Sequence, residues 1–533
     1  MTPISIVPSG ALVNPFRLAY NKGMKRSVIL IVLDGWGIGE ENESNPVHVV
    51  KPKNLGWLAQ TFPVTSLQAS GISVGLPWGE VGNSEVGHLT LGAGKVIYQY
   101  YPRITLAIRD RSFFENQALK TACLHAKKNN SALNLVGLLS KGNVHAALEH
   151  IEALVELGKL EGVGKIRIHL FSDGMDSAPR SLRGFLEALP RDLVANLVGR
   201  YYGMDRNGNW QLTQVAYDLM TQTKNPVVKD PAPIIESTYG KELTEEYLPP
   251  MRLLDDSSIQ DNDALIFFNF REDSIRQLSE AFIQKDFDKF PVKKFENLHI
   301  ATMTRYEERF SVPVAFPPDH VESPLGKVLG DNGKTQLRLA ETYKYAHVTY
   351  FFNGHLERPF KNEYRVLIPS ISSPKPEEHP EMMASTITDR LIQAIETQGF
   401  DFVLVNYANS DTIAHTSNYQ AALKAVEIVD GEIGRILKVG LNDETIIAIT
   451  SDHGNIERVL NPLTGLPESQ HDPSPVPFYL IGSEFKHKKF ANWKTYARES
   501  SGALSDVAPT ILELMGVAKP PEMTGRSLLS DLV

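Results

Sequence analysis

Ser27-Val-Ile-Leu-Ile-Val-Leu33 is an apolar run, unbroken after its serine and closed at once by Asp34-Gly35. An unbroken run of Val, Ile and Leu suits a parallel strand buried on both faces; a half-buried strand would alternate with polar residues. Asp34 then lies just past the carboxyl end of that strand, where open α/β sheets gather their ligand chemistry. Asp-Gly is equally ordinary turn chemistry. A role for Asp34 therefore needs partners from elsewhere in the chain.

The same pattern recurs downstream. Strands are expected over Ala132–Leu139, Lys165–Phe171, Asp192–Gly199 and Ala264–Phe268, with a helix over Ala146–Leu157. Each strand runs into a polar cluster. Beyond Pro318, strands are expected over His347–Phe352, Phe402–Tyr407, Thr445–Thr450 and Val476–Ile481, alternating with helices Met382–Thr397 and Gln420–Val439. Leu504–Met515 reads as one amphipathic helix. Such alternation predicts an α/β fold with a mostly parallel sheet covered by helices. The Pro-rich stretch Ser311–Pro318 reads as a linker, and Lys95–Gln99 as an earlier crossing. Residues 99–318 thus form a second α/β domain inserted into one built from 27–98 and 319–533, with 1–26 an N-terminal extension.

A chain of 533 residues exceeds one typical domain. Its 42% hydrophobic and 22% charged residues are those of a globular protein with ample core. A net charge of −9, without a Lys/Arg stripe, argues against nucleic acid as a partner. No apolar run is long enough to span a membrane. The single cysteine, Cys123, excludes a disulfide framework and a thiolate metal site, which suits a cytoplasmic, reducing setting. The first 33 residues carry Arg17, Lys22, Lys25 and Arg26 without Asp or Glu. A transit peptide has that composition, but Pro3, Pro8 and Pro15 interrupt any helix, and Met24 directly precedes the first strand. A disordered extension or an upstream start fits better.

Four stretches carry candidate chemistry. In Val81-Gly-Asn-Ser84-Glu-Val-Gly-His88, Ser84 is either a helix cap or a nucleophile; as a nucleophile it needs a base or a metal ion to take its proton. Asp411 and His415 stand four apart, on one face of a helical turn. Asp452-His453 follows the strand Thr445–Thr450, and His471 precedes Val476–Ile481. Carboxylate and imidazole ligands without thiolates suit Mn²⁺, Zn²⁺ or Fe²⁺, with Mg²⁺ or Co²⁺ possible. Split between two ions, they make a phosphoryl-transfer site. In the inserted domain, Arg200, Arg206, Arg271 and His145 stand at strand ends. Arginine forks there indicate a small anionic substrate; the alternative is surface ion pairing with Asp205 and Asp273.

The chain resembles the cofactor-independent phosphoglycerate mutases of the alkaline phosphatase superfamily. The motifs are Ile31-Val-Leu-Asp34-Gly-Trp-Gly-Ile38, Gly82-Asn-Ser84-Glu-Val-Gly-His88, Gly199-Arg-Tyr-Tyr202 with Met204-Asp-Arg206, Tyr345-Ala-His-Val348, Asp452-His-Gly-Asn455 and Asp506-Val-Ala-Pro-Thr510. The resemblance implies an alkaline-phosphatase-like domain interrupted by a substrate-binding one, and a monomer. It implies two divalent ions, Mn²⁺ first with Mg²⁺, Co²⁺ or Zn²⁺ as alternatives, and no need for 2,3-bisphosphoglycerate. One ion would be held by Asp411, His415 and His471, the other by Asp34, Asp452, His453 and the Ser84 oxygen. Ser84 would carry the phosphoryl group between 3- and 2-phosphoglycerate. His145, Asp176, Arg200, Arg206, Arg271 and Lys344 would hold the glycerate, and closure of the inserted domain would keep water out.

Two pocket positions depart from that family. Met175 and Ser274 stand where it typically has arginine, and Arg276 is two residues out of place to substitute. Tyr100 and Tyr343 replace frequent acids. A sibling phosphatase or phosphomutase acting on another small phosphate ester is therefore the alternative reading, and a non-catalytic binding protein a more distant one.

Overall fold

The computed structural model describes residues 26–224, 226–486 and 500–532, so all of the N-terminal extension except Arg26 lies outside the described residues. The chain divides into two compact units, one running to Ile97 and resuming at His320, the other Tyr98–Asp319.

The first unit is built on an eight-stranded sheet. In spatial order its strands are Glu363–Ile368, Gln336–Glu341, Phe402–Tyr407, Ser27–Leu33, Thr445–Thr450, Val476–Ile481, Val64–Gln68 and Gly502–Ala503. The first five are mutually parallel. Ser27–Leu33 sits in the middle, and Val28 to Leu33 have no exposed surface. Burial on both faces is what the unbroken apolar run demands. Leu33 aligns with Tyr407 and Val32 with Thr450, so three central strands end at one level. Val476–Ile481 runs antiparallel, which brings its amino-terminal end to that same side.

The second unit holds a seven-stranded sheet in the order Met251–Arg252, Val194–Gly199, Lys165–Ser172, Ala132–Leu139, Ala264–Phe267, His299–Thr304 and Val314–Phe316. Only the pairing with Met251–Arg252 is antiparallel. Both units are therefore α/β with mostly parallel sheets. Apart from the corrections that follow, the expected strands and helices stand within a few residues of their places; the helix after Ala132–Leu139, for example, is Leu148–Leu160.

Three expectations are corrected. His347–Phe352 is not a strand but a helical segment, with Thr342–Ala346 α-helical and His347–Phe351 π-helical. Its β-branched and aromatic residues imitate a strand, yet Gln336–Glu341 already fills the place in the sheet. Buried Val348 and Phe352 lie four apart, on one helical face, and Thr349 Oγ1 donates back to the Tyr345 carbonyl at 2.7 Å. Second, Ser311–Pro318 is not simply a linker. Val314–Phe316 pairs with His299–Thr304, and Pro313, which has no N–H to give, offers its carbonyl to Thr302 N at 3.0 Å. Third, Leu504–Met515 is broken into a 3₁₀ turn, Leu504–Asp506, and the helix Val507–Leu514. The Asp506 carboxylate accepts from Ala503 N and Arg526 N at that break.

Candidate metal centre

Adjacent parallel strands deliver the site. Lys344 follows Gln336–Glu341, Asp411 follows Phe402–Tyr407, Asp34 follows Ser27–Leu33, and Asp452-His453 follows Thr445–Thr450. All are buried. No sequence pattern short of the sheet order reveals that these four strand ends are neighbours.

Ser84 is the first residue of the helix Ser84–Ala93. Asn83 caps that helix, its side chain accepting from Val86 N at 3.1 Å, so Ser84 is not the cap. The Ser84 hydroxyl donates to Asp34 Oδ1 at 3.0 Å and lies 2.9 Å from His453 Nε2. Lys344 Nζ donates to Ser84 Oγ (2.7 Å), Asp34 Oδ1 (2.6 Å) and Asp411 Oδ2 (2.6 Å). Expected to reach the glycerate, Lys344 thus stands among the carboxylates.

Burial opposes charge throughout this cluster, but the opposite charges outweigh it. Lys344 holds Asp34 and Asp411 well below the usual carboxylate range, helped by His453 and, for Asp411, by His415 and His471. Asp34, Asp411 and Asp452 in turn overcome burial to hold Lys344 well above its ordinary value. The site is arranged to collect positive charge.

The imidazoles show what kind. His415 Nδ1 meets the Ser469 carbonyl at 2.9 Å, His471 Nδ1 the Gly82 carbonyl at 2.7 Å, and His453 Nδ1 the Gly454 carbonyl at 3.2 Å. A carbonyl only accepts, so each Nδ1 carries a proton; each Nε2 faces the cluster and presents a lone pair once its ring is neutral, as binding a cation requires. His415 and His471 Nε2 lie 3.0 Å apart, each 3.3 Å from Asp411 Oδ1. Two groups have ligand atoms all within 4.8 Å of one another: Asp411, His453 and His471, and Asp34, Asp452 and His453. His453 belongs to both, where the sequence reading gave it to one ion. Among the described residues buried Asp452 Oδ2 accepts no hydrogen bond, and only the His88 ring pairs with it closely, at 3.0 Å. Converging imidazole nitrogens and carboxylate oxygens fit divalent cations.

Three residues of this surround were missed. His88 Nδ1 lies 2.9 Å from the Ser84 carbonyl and 3.0 Å from Asp452 Oδ2. Asn406 donates to Asp34 Oδ2 at 2.7 Å, and Asn455 to Asp411 Oδ1 at 2.9 Å. His88 was legible, standing four residues after Ser84 on one helix face. Asn406, inside an apolar strand, gave only the hint of a buried amide.

In the second unit, charged side chains also gather at strand ends. Buried Arg200 donates through Nη1 to Asp173 Oδ1 (2.8 Å) and Asp176 Oδ2 (2.7 Å). Asp273 Oδ2 takes Arg206 Nη1 at 2.6 Å and lies 3.2 Å from Arg271 Nη2; Asp273 Oδ1 is 3.6 Å from His145 Nδ1. Burial and then Arg200 push His145 below its ordinary value. Ion pairing with Asp273 is thus present, whereas Asp205 instead serves Asn209 and Gln277. The side chains of Arg206 and Arg271 remain half exposed, at 55% and 49%, and pairs so open to water hold their partners weakly. Both forks stay available to an anion.

A buried carboxylate–imidazole cluster at the ends of parallel α/β strands defines a metal-dependent enzyme, and the pattern of the Metalloenzyme superfamily matches residues 26–519. Within that class the chain belongs to the 2,3-bisphosphoglycerate-independent phosphoglycerate mutase family. It is 44% identical to the enzyme of that name from Thermomicrobium roseum over 94% of this chain and 98% of the relative. It is 41% identical to phosphoglycerate mutase 1 of the same type from Methanosarcina barkeri, over 95% and 98%. A Leishmania mexicana phosphoglycerate mutase, crystallised at low cobalt concentration, is similar in structure: TM-score 0.51, 26% identity, covering 95% of this chain and 98% of that one.

Proposed function

We propose that this chain interconverts 3-phosphoglycerate and 2-phosphoglycerate by passing the phosphoryl group through Ser84. The observation that carries the reading is the Ser84 hydroxyl, held between Asp34 Oδ1, His453 Nε2 and Lys344 Nζ within 3.0 Å. A serine so placed releases its proton to solvent before substrate enters, and the Lys344 ammonium, 2.7 Å away, stabilises the oxygen left behind. Its oxygen then attacks phosphorus. The bond from phosphorus to the substrate's 3-oxygen breaks, and that oxygen takes over the proton given up by the neighbouring 2-hydroxyl. Attack by the 2-oxygen on phosphoserine reverses the sequence and frees Ser84. Arg200, Arg206 and Arg271, with His145 and Asp176, bind the glycerate and retain it between the two transfers.

Asp34, Asp452, His453 and Ser84 would hold one divalent ion, and Asp411, His415 and His471 the other, with His453 close enough to serve either. Mn²⁺ is the first choice, with Mg²⁺, Co²⁺ or Zn²⁺ as alternatives. When bound, such ions make the hydroxyl easier to ionise and offset the charge of the transferring phosphoryl group. Neither transfer calls for 2,3-bisphosphoglycerate. We place the enzyme in the cytoplasm as a monomer, in keeping with its single, buried cysteine.

Met175, 64% exposed, and Ser274, buried and donating to Asp273 Oδ1 at 3.1 Å, favour a second reading. With these side chains in place of arginine, the acceptor would be another hydroxyl or water, and the enzyme a phosphatase or phosphomutase. Incubating metal-loaded protein with 3-phosphoglycerate separates the two. Formation of 2-phosphoglycerate supports the mutase; release of phosphate without isomerisation overturns it.

A further inference from the structure

The loop after Ser27–Leu33 carries Asp34, and the loop after Thr445–Thr450 carries Asp452 and His453. Backbone rungs stitch the two together: Gly35 N to Asp452 Oδ1 at 3.2 Å, Trp36 N to Ser451 Oγ at 2.8 Å, and Ile456 N to the Gly35 carbonyl at 2.9 Å. Glu457 completes the seam. Its side chain is buried, and Oε2 accepts from Gly37 N at 2.9 Å and Asn455 N at 2.8 Å, one donor from each loop. A Cβ at Gly37 or Gly454 would fall 2.0 or 2.2 Å from Glu457 Oε1. Both loops are thus glycine where this carboxyl lies against them. The contact extends further, because Asn455 spends its side-chain amide on Asp411 Oδ1. Glu457 reaches no proposed ion ligand itself. Through Gly37 and Asn455 it touches the loops that carry Asp34 and Asp452-His453, and through the Asn455 amide it connects to Asp411.

We propose that Glu457 is a positioning residue for ion binding, fixing the spacing of Asp34, Asp452-His453 and Asp411. The inference rests on the two-ion reading of the site. An ordinary buried acid would be expected to satisfy both oxygens, whereas Glu457 Oε1 has no hydrogen-bond partner among the described residues. Its carboxyl is held in place for the two N–H groups on Oε2. Burial, with Asp472 adding to it, raises the carboxyl to about 7; glutamine lacks the charge but keeps an oxygen that can take both N–H groups.

The test uses the full chain and Mn²⁺ itself. Binding is measured by calorimetry for wild type, Glu457→Gln and Glu457→Ala, beside the melting temperature of each in chelator. Wild type should take two ions. Removing groups that orient metal ligands typically weakens binding ~10–100-fold, and that is expected of Glu457→Ala. Glutamine keeps an oxygen for both donors and should bind within about threefold of wild type on the same reasoning. If Glu457→Ala binds Mn²⁺ like wild type while its ion-free melting temperature falls, Glu457 is only a core residue and the proposal is overturned. Glutamine weakening binding as much as alanine overturns it too. Should the alanine variant not fold, Glu457→Asp, a methylene short of the two donors, replaces it with the same expectations. Failure of wild type to take up Mn²⁺ sinks the two-ion reading, and this inference with it.

Discussion

His415 and His471 face each other through Nε2 at 3.0 Å, each with its other nitrogen fixed by a backbone carbonyl, that of Ser469 or of Gly82. Two ring nitrogens at that distance need a proton or a metal ion between them, and the second is what the surrounding carboxylates favour. Chelator should therefore abolish activity, and a divalent ion should restore it. His471→Ala should lower the ions bound per chain from two towards one, by elemental analysis after dialysis. A full complement in that variant would remove His471 from the ligand set.

Ser84→Ala should abolish isomerisation and any release of phosphate together, since both routes pass through one oxygen. Loss of a nucleophile acting with its partners typically costs several orders of magnitude in kcat. Intact-mass measurement during turnover should show one added phosphoryl group on wild type and none on the variant. Residual turnover in Ser84→Ala would mean that another group attacks phosphorus.

Met175→Arg should lower KM for 3-phosphoglycerate with little change in kcat. The position is open to solvent, so the longer side chain fits, and one charge-assisted contact contributes ~1.5–3 kcal/mol. Ser274→Arg is different. Its site is 3% exposed and the hydroxyl serves Asp273, so arginine there should lower the melting temperature before any gain in binding appears. An unchanged KM in Met175→Arg would count against a pocket weakened at that position.

Much of the fold was legible because the central strands are apolar throughout: Ser27–Leu33 and Thr445–Thr450 need no partner to be recognised. The strand Gln336–Glu341 escaped notice because buried Gln336 and Arg338 interrupt its apolar pattern, their side chains bonded to each other at 2.8 Å. The site was legible as residue types, Asp and His after strands, and as family motifs. Lys344 and Asn406 show where that stops. Their contacts with Asp34 follow from which strands are neighbours, and sheet order is set by packing across hundreds of residues. Glu457 was hidden for a related reason, since its partners are backbone N–H groups, which every residue but proline has.

Stability should fall as pH drops from about 6.5, through two buried histidines that are not among the candidate site residues. In the second unit, burial lowers His150 to about 3, and burial with Arg167 lowers His169 to about 3. His169 is satisfied as a neutral ring: Nε2 lies 3.0 Å from Asn134 Oδ1, and Nδ1 lies 2.9 Å from Asn196 Nδ2. A second ring proton would point at the Asn196 amide hydrogens. His150 Nδ1 has no hydrogen-bond partner among the described residues. Each folded value lies below the unfolded one near 6.5. The unfolded chain therefore binds the proton first as pH falls. The contribution is fully present above about 6.5 and declines by about 1.4 kcal/mol per histidine per pH unit, until the folded ring titrates near 3. Denaturant unfolding at pH 7 and pH 5, before most carboxylates protonate, should show wild type weaker at pH 5. His169→Gln, an amide that does not titrate, should reduce that difference by the share of one histidine. A pH difference unchanged by His169→Gln would show that this ring does not stay neutral in the folded chain.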